Sequence, residues 1–193
     1  MPLRETVTLH QPLRQDVPVP LSDWLQIAEG SATPTQQALL EELGAMLDRL
    51  ESVALDRSRS LLTWAPAEYD KGQLAAEVVL VHVQRPDWSV HIQVEPSSAV
   101  IHWLSAHERI DETDGWEDVH WTMVVVDVVA AVLRGEYEVE ETVRLGRWYR
   151  TRIIDVTERD NPESLRASAP LWFWLRRPFP ATVTRRRLDF NGA

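Results

Sequence analysis

The fold is decided by residues 77–105, which have the sequence EVVLVHVQRPDWSVHIQVEPSSAVIHWLS. Apolar and polar residues alternate through three runs of this stretch, and a period of two is typical of half-buried strands. The runs are Glu77–Gln84, Trp88–Glu95 and Ala99–Ser105. Pro86-Asp87 and Pro96-Ser97 separate them as turn residues. The stretch therefore predicts a three-stranded antiparallel meander.

The apolar side chains of the meander set its expected register. With two-residue loops, Val83 faces Val90 in the first hairpin and Ile92 faces Ile101 in the second. This register collects the apolar residues on one face, and a slip of one residue would scatter them. It also places a row of polar side chains on the opposite face, comprising His82, His91, His102, Gln84, Gln93 and Glu95.

A helix is predicted over Pro34–Ala54, before the meander. Thr33 and Gln36 have the spacing of a capping box, and Pro34 suits the first helical position. Apolar residues then recur every three or four positions and form one stripe along the helix, at Leu39, Leu43, Met46, Leu50 and Val53.

A second helix is predicted over Trp116–Arg134. Asp114 and Glu117 have capping-box spacing, and Gly135 suits the C-terminal stop. The β-branched run at 124–129 is also compatible with a strand, but the length and the two end signals favour a helix. The residues expected to face the sheet are Trp116, Val119, Met123, Val126, Ala130 and Leu133.

A hairpin is predicted from Tyr137–Val143 and Trp148–Ile154. With a loop over residues 144–146, Gly146 takes the left-handed position of a bulged turn. Charged residues then face each other as a ladder across the two strands, Glu140 opposite Arg150 and Glu138 opposite Arg152. The predicted fold class is α+β, an antiparallel sheet (the meander plus this hairpin) with two main helices packed on one face.

Three regions are expected along the chain. Residues 1–30 are an extended, proline-interrupted lead-in, residues 31–156 a single α+β domain, and residues 157–193 a basic aromatic extension. Residues 171–175 of the extension are too apolar to stay in water, so packing of the extension on the domain is expected. Its candidate binding residues are Trp172, Trp174, Arg176 and Arg177.

The composition excludes several classes of protein. The chain has 193 residues, a net charge of −10 and no Cys. Without Cys it forms no disulfide, no Cys-ligated metal site and no thiol nucleophile. It has no signal-peptide pattern and no apolar run long enough to span a membrane, so a cytoplasmic protein with no membrane partner is expected. Nineteen of the 20 basic residues are Arg, a bias that indicates a GC-rich bacterial genome.

The charge is unevenly distributed. Residues 1–156 contain 13 basic and 26 acidic residues, whereas residues 157–193 contain seven basic and four acidic ones. The basic extension raises nucleic-acid binding as one alternative function, because Arg binds phosphate and aromatic rings stack on bases. The acidic body argues against it and favours a protein partner. The oligomeric state stays open.

The usual catalytic motifs are missing, since the chain has no Gly-rich phosphate loop, G-x-S-x-G or H-E-x-x-H. No catalytic residue, metal ligand set or cofactor is therefore assigned. The row of His82, His91 and His102 leaves three interpretations open: a solvent-facing sheet surface, a partner-binding face, or the centre of a metal-dependent enzyme. The metal interpretation requires the outer histidines, about 10 Å apart at the backbone, to lean inward.

The order helix, meander, helix, hairpin resembles the type III secretion chaperone-like fold. Small immunity proteins of bacterial toxin systems are also similar in their pattern of residue types to two segments of this chain, DVVAAVLRGEYEVEE (127–141) and LGRWYRTR (145–152). The resemblance covers about residues 34–156 and carries no diagnostic motif. It implies a non-enzymatic protein that binds a partner polypeptide.

Overall fold

The computed structural model describes residues 32–50, 53–56, 58–114, 119–144, 147–157, 166–168, 181–188 and 190. The protein is an α+β structure with two helices and two antiparallel sheets. The predicted lead-in over residues 1–30 lies outside the described residues. No described helix combines the length and apolarity needed to cross a membrane.

Helix α1 (Pro34–Arg49) begins as predicted and ends five residues earlier. The capping box is confirmed, because the Thr33 side chain accepts the backbone N–H of Gln36 and the Gln36 side chain accepts that of Thr33. Gln36 is buried, and its Nε2 also donates to the carbonyls of Leu74 and Val94 at 2.8 and 3.0 Å. One side chain therefore starts the helix and fastens it to two strands.

The first sheet has five strands, each hydrogen-bonded to the next in chain order. They are β1 (Leu61–Pro66), β2 (Leu74–Val81), β3 (Ser89–Val94), β4 (Ser98–Trp103) and β5 (Ala106–Asp111). The predicted meander corresponds to β2, β3 and β4, and the sheet continues by one strand at each edge.

Both helices pack on the inner face of this sheet. The core joins inward side chains of β2–β5, such as Leu80, Ile92 and Trp103, to buried residues of both helices.

The first predicted hairpin register is wrong, since Leu80 and not Val83 pairs with Val90. The chain leaves the β2–β3 ladder after Val81, so the pairing of β2 with β3 is shifted by three residues from the predicted one. Because the shift is odd, side chains of β2 predicted to face inward face outward, and the reverse. The predicted pairing of Ile92 with Ile101 is confirmed.

Helix α2 (Trp121–Leu133) begins later than predicted, with His120 and not Asp114 at the N-cap. The Asp114 carboxylate instead accepts the backbone N–H of Asp111 in the turn after β5. The predicted stop at Gly135 is confirmed by its φ of 71°. Two residues expected on the sheet, Val119 and Met123, are 46% and 43% exposed. Almost every position of α2 is apolar, so periodicity alone does not select its buried face. Trp116 lies outside the described residues.

The second sheet has four strands in the spatial order β8, β7, β6, β9. They are β6 (Tyr137–Arg144), β7 (Arg147–Asp155), β8 (Arg166–Ser168) and β9 (Ala181–Arg187). The first two form the predicted hairpin, while β8 and β9 come from the predicted extension. After β9 the chain enters the core of the first sheet, where Leu188 and Phe190 are fully buried.

Candidate functional site

The outer face of the five-stranded sheet is the candidate site, because both helices lie on the inner face. One row of side chains crosses all five strands on the outer face: Leu61, Val79, His91, His102 and His107. The next row contains Glu77, Gln93 and Arg109. We call the surface formed by His91, His102, His107, Glu77, Gln93 and Arg109 the histidine face.

The three imidazoles of the histidine face occupy neighbouring strands. His91 pairs with His102 across β3 and β4, as predicted, and His102 pairs with His107 across β4 and β5. The rings of His102 and His107 have centroids 5.7 Å apart, and Nε2 of His91 lies 3.1 Å from the Ser89 hydroxyl. All three histidines are exposed. They form a row of imidazoles on three neighbouring strands.

The pKa of His102 is lowered from its ordinary value of 6.5. Partial burial between its neighbours is the main cause, because it disfavours the imidazolium ion. Positive charge on His107 and His91 lowers the pKa further, while Glu68 opposes the shift. His102 therefore stays neutral at neutral pH and keeps its neutral form to a lower pH than in the unfolded chain.

Replacing His107 by glutamine (H107Q) is expected to raise the pKa of His102, because it removes a like charge. In the native protein the contribution of His102 to stability is complete above pH 6.5. It is lost as the pH falls through the lower pKa of the folded state. An NMR titration of the imidazole carbon-bound protons measures the pKa of His102 in the native protein and in H107Q. H120Q serves as the control variant. A His102 pKa at or above 6.5 in the native protein would contradict this assignment.

One end of the outer face is closed by residues 67–73, the loop between β1 and β2. The Glu95 carboxylate is fully buried there and accepts the backbone N–H groups of Glu68, Tyr69 and Asp70 at 2.7–3.1 Å. The guanidinium of Arg109 lies over the Tyr69 ring at 4.3 Å. Glu95, one of the predicted binding residues, therefore holds a loop in place, and the open part of the face is the end that carries the histidines.

The register of β2 found in the structure separates His82 from the other two histidines of the predicted row. His91 faces Val79 and not His82, and His82 lies on the inner side of the sheet. The His82 ring is buried between Trp88 and Phe190, and its Nδ1 accepts the backbone N–H groups of Gln84 and Arg85. Gln84 is exposed in the turn that follows. Of the six predicted residues, the structure keeps four on the outer face: His91, His102, Gln93 and Glu95.

Sequence reasoning missed His107 because it missed β5. The turn between β4 and β5 consists of Leu104 and Ser105, and Leu104 has a φ of 52°. Tight turns with positive φ usually contain Gly, Asn or Asp, so this turn carries no such signal. The available signal was weaker, namely the alternation of inward Ala106 and Ile110 with outward His107 and Arg109.

The histidine face does not provide a ready metal site. Within the described part of the chain, no group of three His, Asp or Glu side chains is arranged to hold a metal ion. His91, His102 and His107 stand side by side on a flat sheet surface, whereas zinc needs its ligand atoms converging at about 2 Å. The arrangement suits contact with another surface better than coordination of an ion.

The predicted charge ladder exists in a shifted register. Glu140 pairs with Arg152 and not with Arg150, while Glu138 pairs with Ile154. The loop is one residue shorter than predicted and a bulge follows Thr142, so the strands slide by two residues and keep their faces. The buried carboxylate of Glu140 lies 2.9 Å from Arg185 on β9 and 3.8 Å from Arg152 on β7. This cluster joins three strands of the second sheet.

The predicted binding residues of the extension, Trp172, Trp174, Arg176 and Arg177, lie outside the described residues. Three other arginines of the extension are in β9. Arg185 is paired with Glu140 and Arg186 with Glu141, the latter at 2.6 Å. Two basic residues of the extension are thus engaged by the acidic body of the protein.

Comparisons of the chain with protein families, with curated proteins and with solved structures gave no match. The histidine face offers a half-open antiparallel sheet surface with imidazole, amide and charged groups at fixed positions. Such a surface can bind a partner by shape and hydrogen bonding.

Proposed function

We propose that this chain is a non-enzymatic protein-binding protein whose partner binds at the histidine face. The observation that carries the proposal is the row of three imidazoles on the exposed face of the five-stranded sheet. Both helices bury its inner face, while His91, His102 and His107 remain exposed on the outer face. An antiparallel sheet tolerates one solvated face, so the exposure alone is unremarkable. The concentration of three imidazoles on that face is what favours binding.

The chemistry of the histidine face supports a protein partner. A neutral imidazole presents a flat apolar ring together with one hydrogen-bond donor and one acceptor. The lowered pKa of His102 favours this neutral form, so that less charge has to be desolvated on contact. Gln93 and Glu77 lie beside the histidine row and add amide and carboxylate groups.

A more specific form of the proposal is an immunity or chaperone-like factor. The support for it is the net charge of −10 and the resemblance in element order to such proteins. An acidic surface attracts a basic partner and accelerates encounter, which suits a protein that neutralises or escorts another polypeptide.

Site-specific photo-crosslinking in the producing bacterium tests the proposal. A benzophenone amino acid replaces His102 on the histidine face in one variant and Glu42 on the exposed side of α1 in the other. We expect a discrete covalent adduct from position 102 after illumination, because its side chain would lie at the interface. The adduct should be sensitive to protease and contain one partner protein.

The Glu42 variant is the matched control, because Glu42 is also exposed and lies on the other side of the sheet. It should give no adduct with the same partner. Equal adducts from both positions, or an adduct that nuclease removes and protease does not, would contradict the proposal.

A further inference from the structure

A groove of about 490 Å³ lies at the end of the first sheet formed by the β2–β3 and β4–β5 turns, the end nearer the histidines. It is lined by Arg85, Asp87, Trp88, Leu104, Arg186 and Arg187, and we call it the arginine groove. Its volume is within the range of small-molecule sites, about 300–1,000 Å³. Three arginine residues from two distant parts of the chain therefore line one concave site in a chain whose net charge is −10.

The first wall of the groove is the turn between β2 and β3, and buried His82 organises it. Nδ1 of His82 accepts the backbone N–H groups of Gln84 and Arg85 at 3.0 and 3.1 Å. The guanidinium carbon of Arg85 lies 4.2 Å from the centre of the Trp88 ring, a cation–π contact. The turn and the Arg85 side chain are thus positioned before any ligand arrives.

The second wall is the end of β9, which carries Arg186 and Arg187. The next residue, Leu188, and nearby Phe190 are buried in the core and hold the end of the strand. The Phe190 ring lies 5.2 Å from the ring of His82. The two walls therefore share one aromatic contact, which fixes their separation.

The charges of the groove indicate what it binds. The carboxylate of Asp87 approaches Arg85 only to 3.8 Å, longer than a hydrogen bond, and Glu141 pairs with Arg186 at 2.6 Å. A ligand with a single carboxylate would add one more contact of the kind that Asp87 and Glu141 already make with Arg85 and Arg186. A ligand with several negative charges close together can bridge both walls, and guanidinium groups bind phosphate oxygens in a bidentate manner.

We propose that the arginine groove binds a ligand with two or more linked phosphate groups, held between Arg85 on one wall and Arg186 and Arg187 on the other. The proposal is independent of the histidine face. It rests on the lining of one groove by arginine residues from distant parts of the chain, because the general preference of this sequence for Arg over Lys makes the residue type itself uninformative.

Isothermal titration calorimetry of the full chain with inorganic pyrophosphate tests the proposal. Binding should weaken as NaCl is raised, and R85Q and R187Q should each lower the affinity about tenfold or more, as expected for lost charged hydrogen bonds. R49Q is the control, since Arg49 is exposed at the end of α1, does not line the groove, and donates from Nε to the carbonyl of Ala45 in its own helix. Unchanged urea midpoints would show that the variants are folded.

Three results would overturn the proposal: no binding of pyrophosphate, equal affinity in R85Q and the native protein, or tighter binding of tetraglutamate than of pyrophosphate. The last result would reassign the groove to an acidic peptide. A parallel titration with ATP distinguishes the source of the phosphates. If ATP binds more tightly than pyrophosphate and R85Q loses this binding, the ligand is a nucleotide. If ATP and pyrophosphate bind equally, the ligand is recognised through its phosphates alone.

Discussion

Replacing Phe190 by alanine is expected to lower the free energy of unfolding by about 3–5 kcal/mol. The side chain is fully buried and packs with both helices and the first sheet. Its backbone carbonyl also accepts the N–H of Ala54, and its N–H donates to the carbonyl of Leu133. Phe190 thus brings the end of β9 back into the core, and the alanine variant leaves a cavity there.

Urea unfolding measures the effect of F190A, with V183A as control. Val183 is also in the C-terminal region but is 53% exposed, so its truncation should change the stability by less than about 1 kcal/mol. Similar losses of stability in the two variants would show that the C-terminal segment does not enter the core as described.

Replacing Glu95 by alanine is expected to lower the free energy of unfolding by about 3 kcal/mol. The carboxylate accepts three consecutive backbone N–H groups, from Glu68, Tyr69 and Asp70, and is also within 3.1 Å of the Gln93 amide. Its removal leaves three backbone donors without their acceptor and frees residues 67–73 from the outer face. The β1–β2 loop should then exchange its amide hydrogens faster than the strands do.

Unfolding measurements on E95A, E95Q and E42A separate this role from a general effect of charge. E95Q retains one carbonyl acceptor and should fall between E95A and the native protein. Glu42 is exposed on α1, so E42A should be close to native in stability. An E95A variant with native stability and an unchanged loop would contradict the role of Glu95.

Features that depend on local chemistry could be predicted from the sequence. The capping box of Thr33 and Gln36 involves residues three apart, and the stop at Gly135 needs a positive φ that glycine readily adopts. The register of β3 with β4 was also predictable, because the turn is short and the large apolar residues of the two strands pair with each other, Val90 with Trp103 and Ile92 with Ile101.

Features that depend on tertiary contacts could not be predicted. His82 was assigned to the outer face because the sequence does not show that the chain leaves the ladder after Val81. Its burial depends on Phe190, which is more than 100 residues away. The β4–β5 turn at Leu104 was missed because it lacks the usual turn residues.

The candidate site was therefore predicted in part. His91 and His102 could be placed together from the alternation of β3 and β4, whereas His107 required the unpredicted strand β5. The arginine groove was not predictable, since Arg85 and Arg187 meet only after the C-terminal segment has folded back against the first sheet. Charge counts along the chain do not show which arginines converge.

The most direct test of the central claim is an NMR titration of the histidine signals with the protein captured by crosslinking at position 102. If the partner binds at the histidine face, the imidazole signals of His91, His102 and His107 shift or broaden together. His120, exposed at the start of α2, is an internal reference and should keep its signal. A partner that perturbs His120 and leaves the other three signals unchanged would contradict the claim.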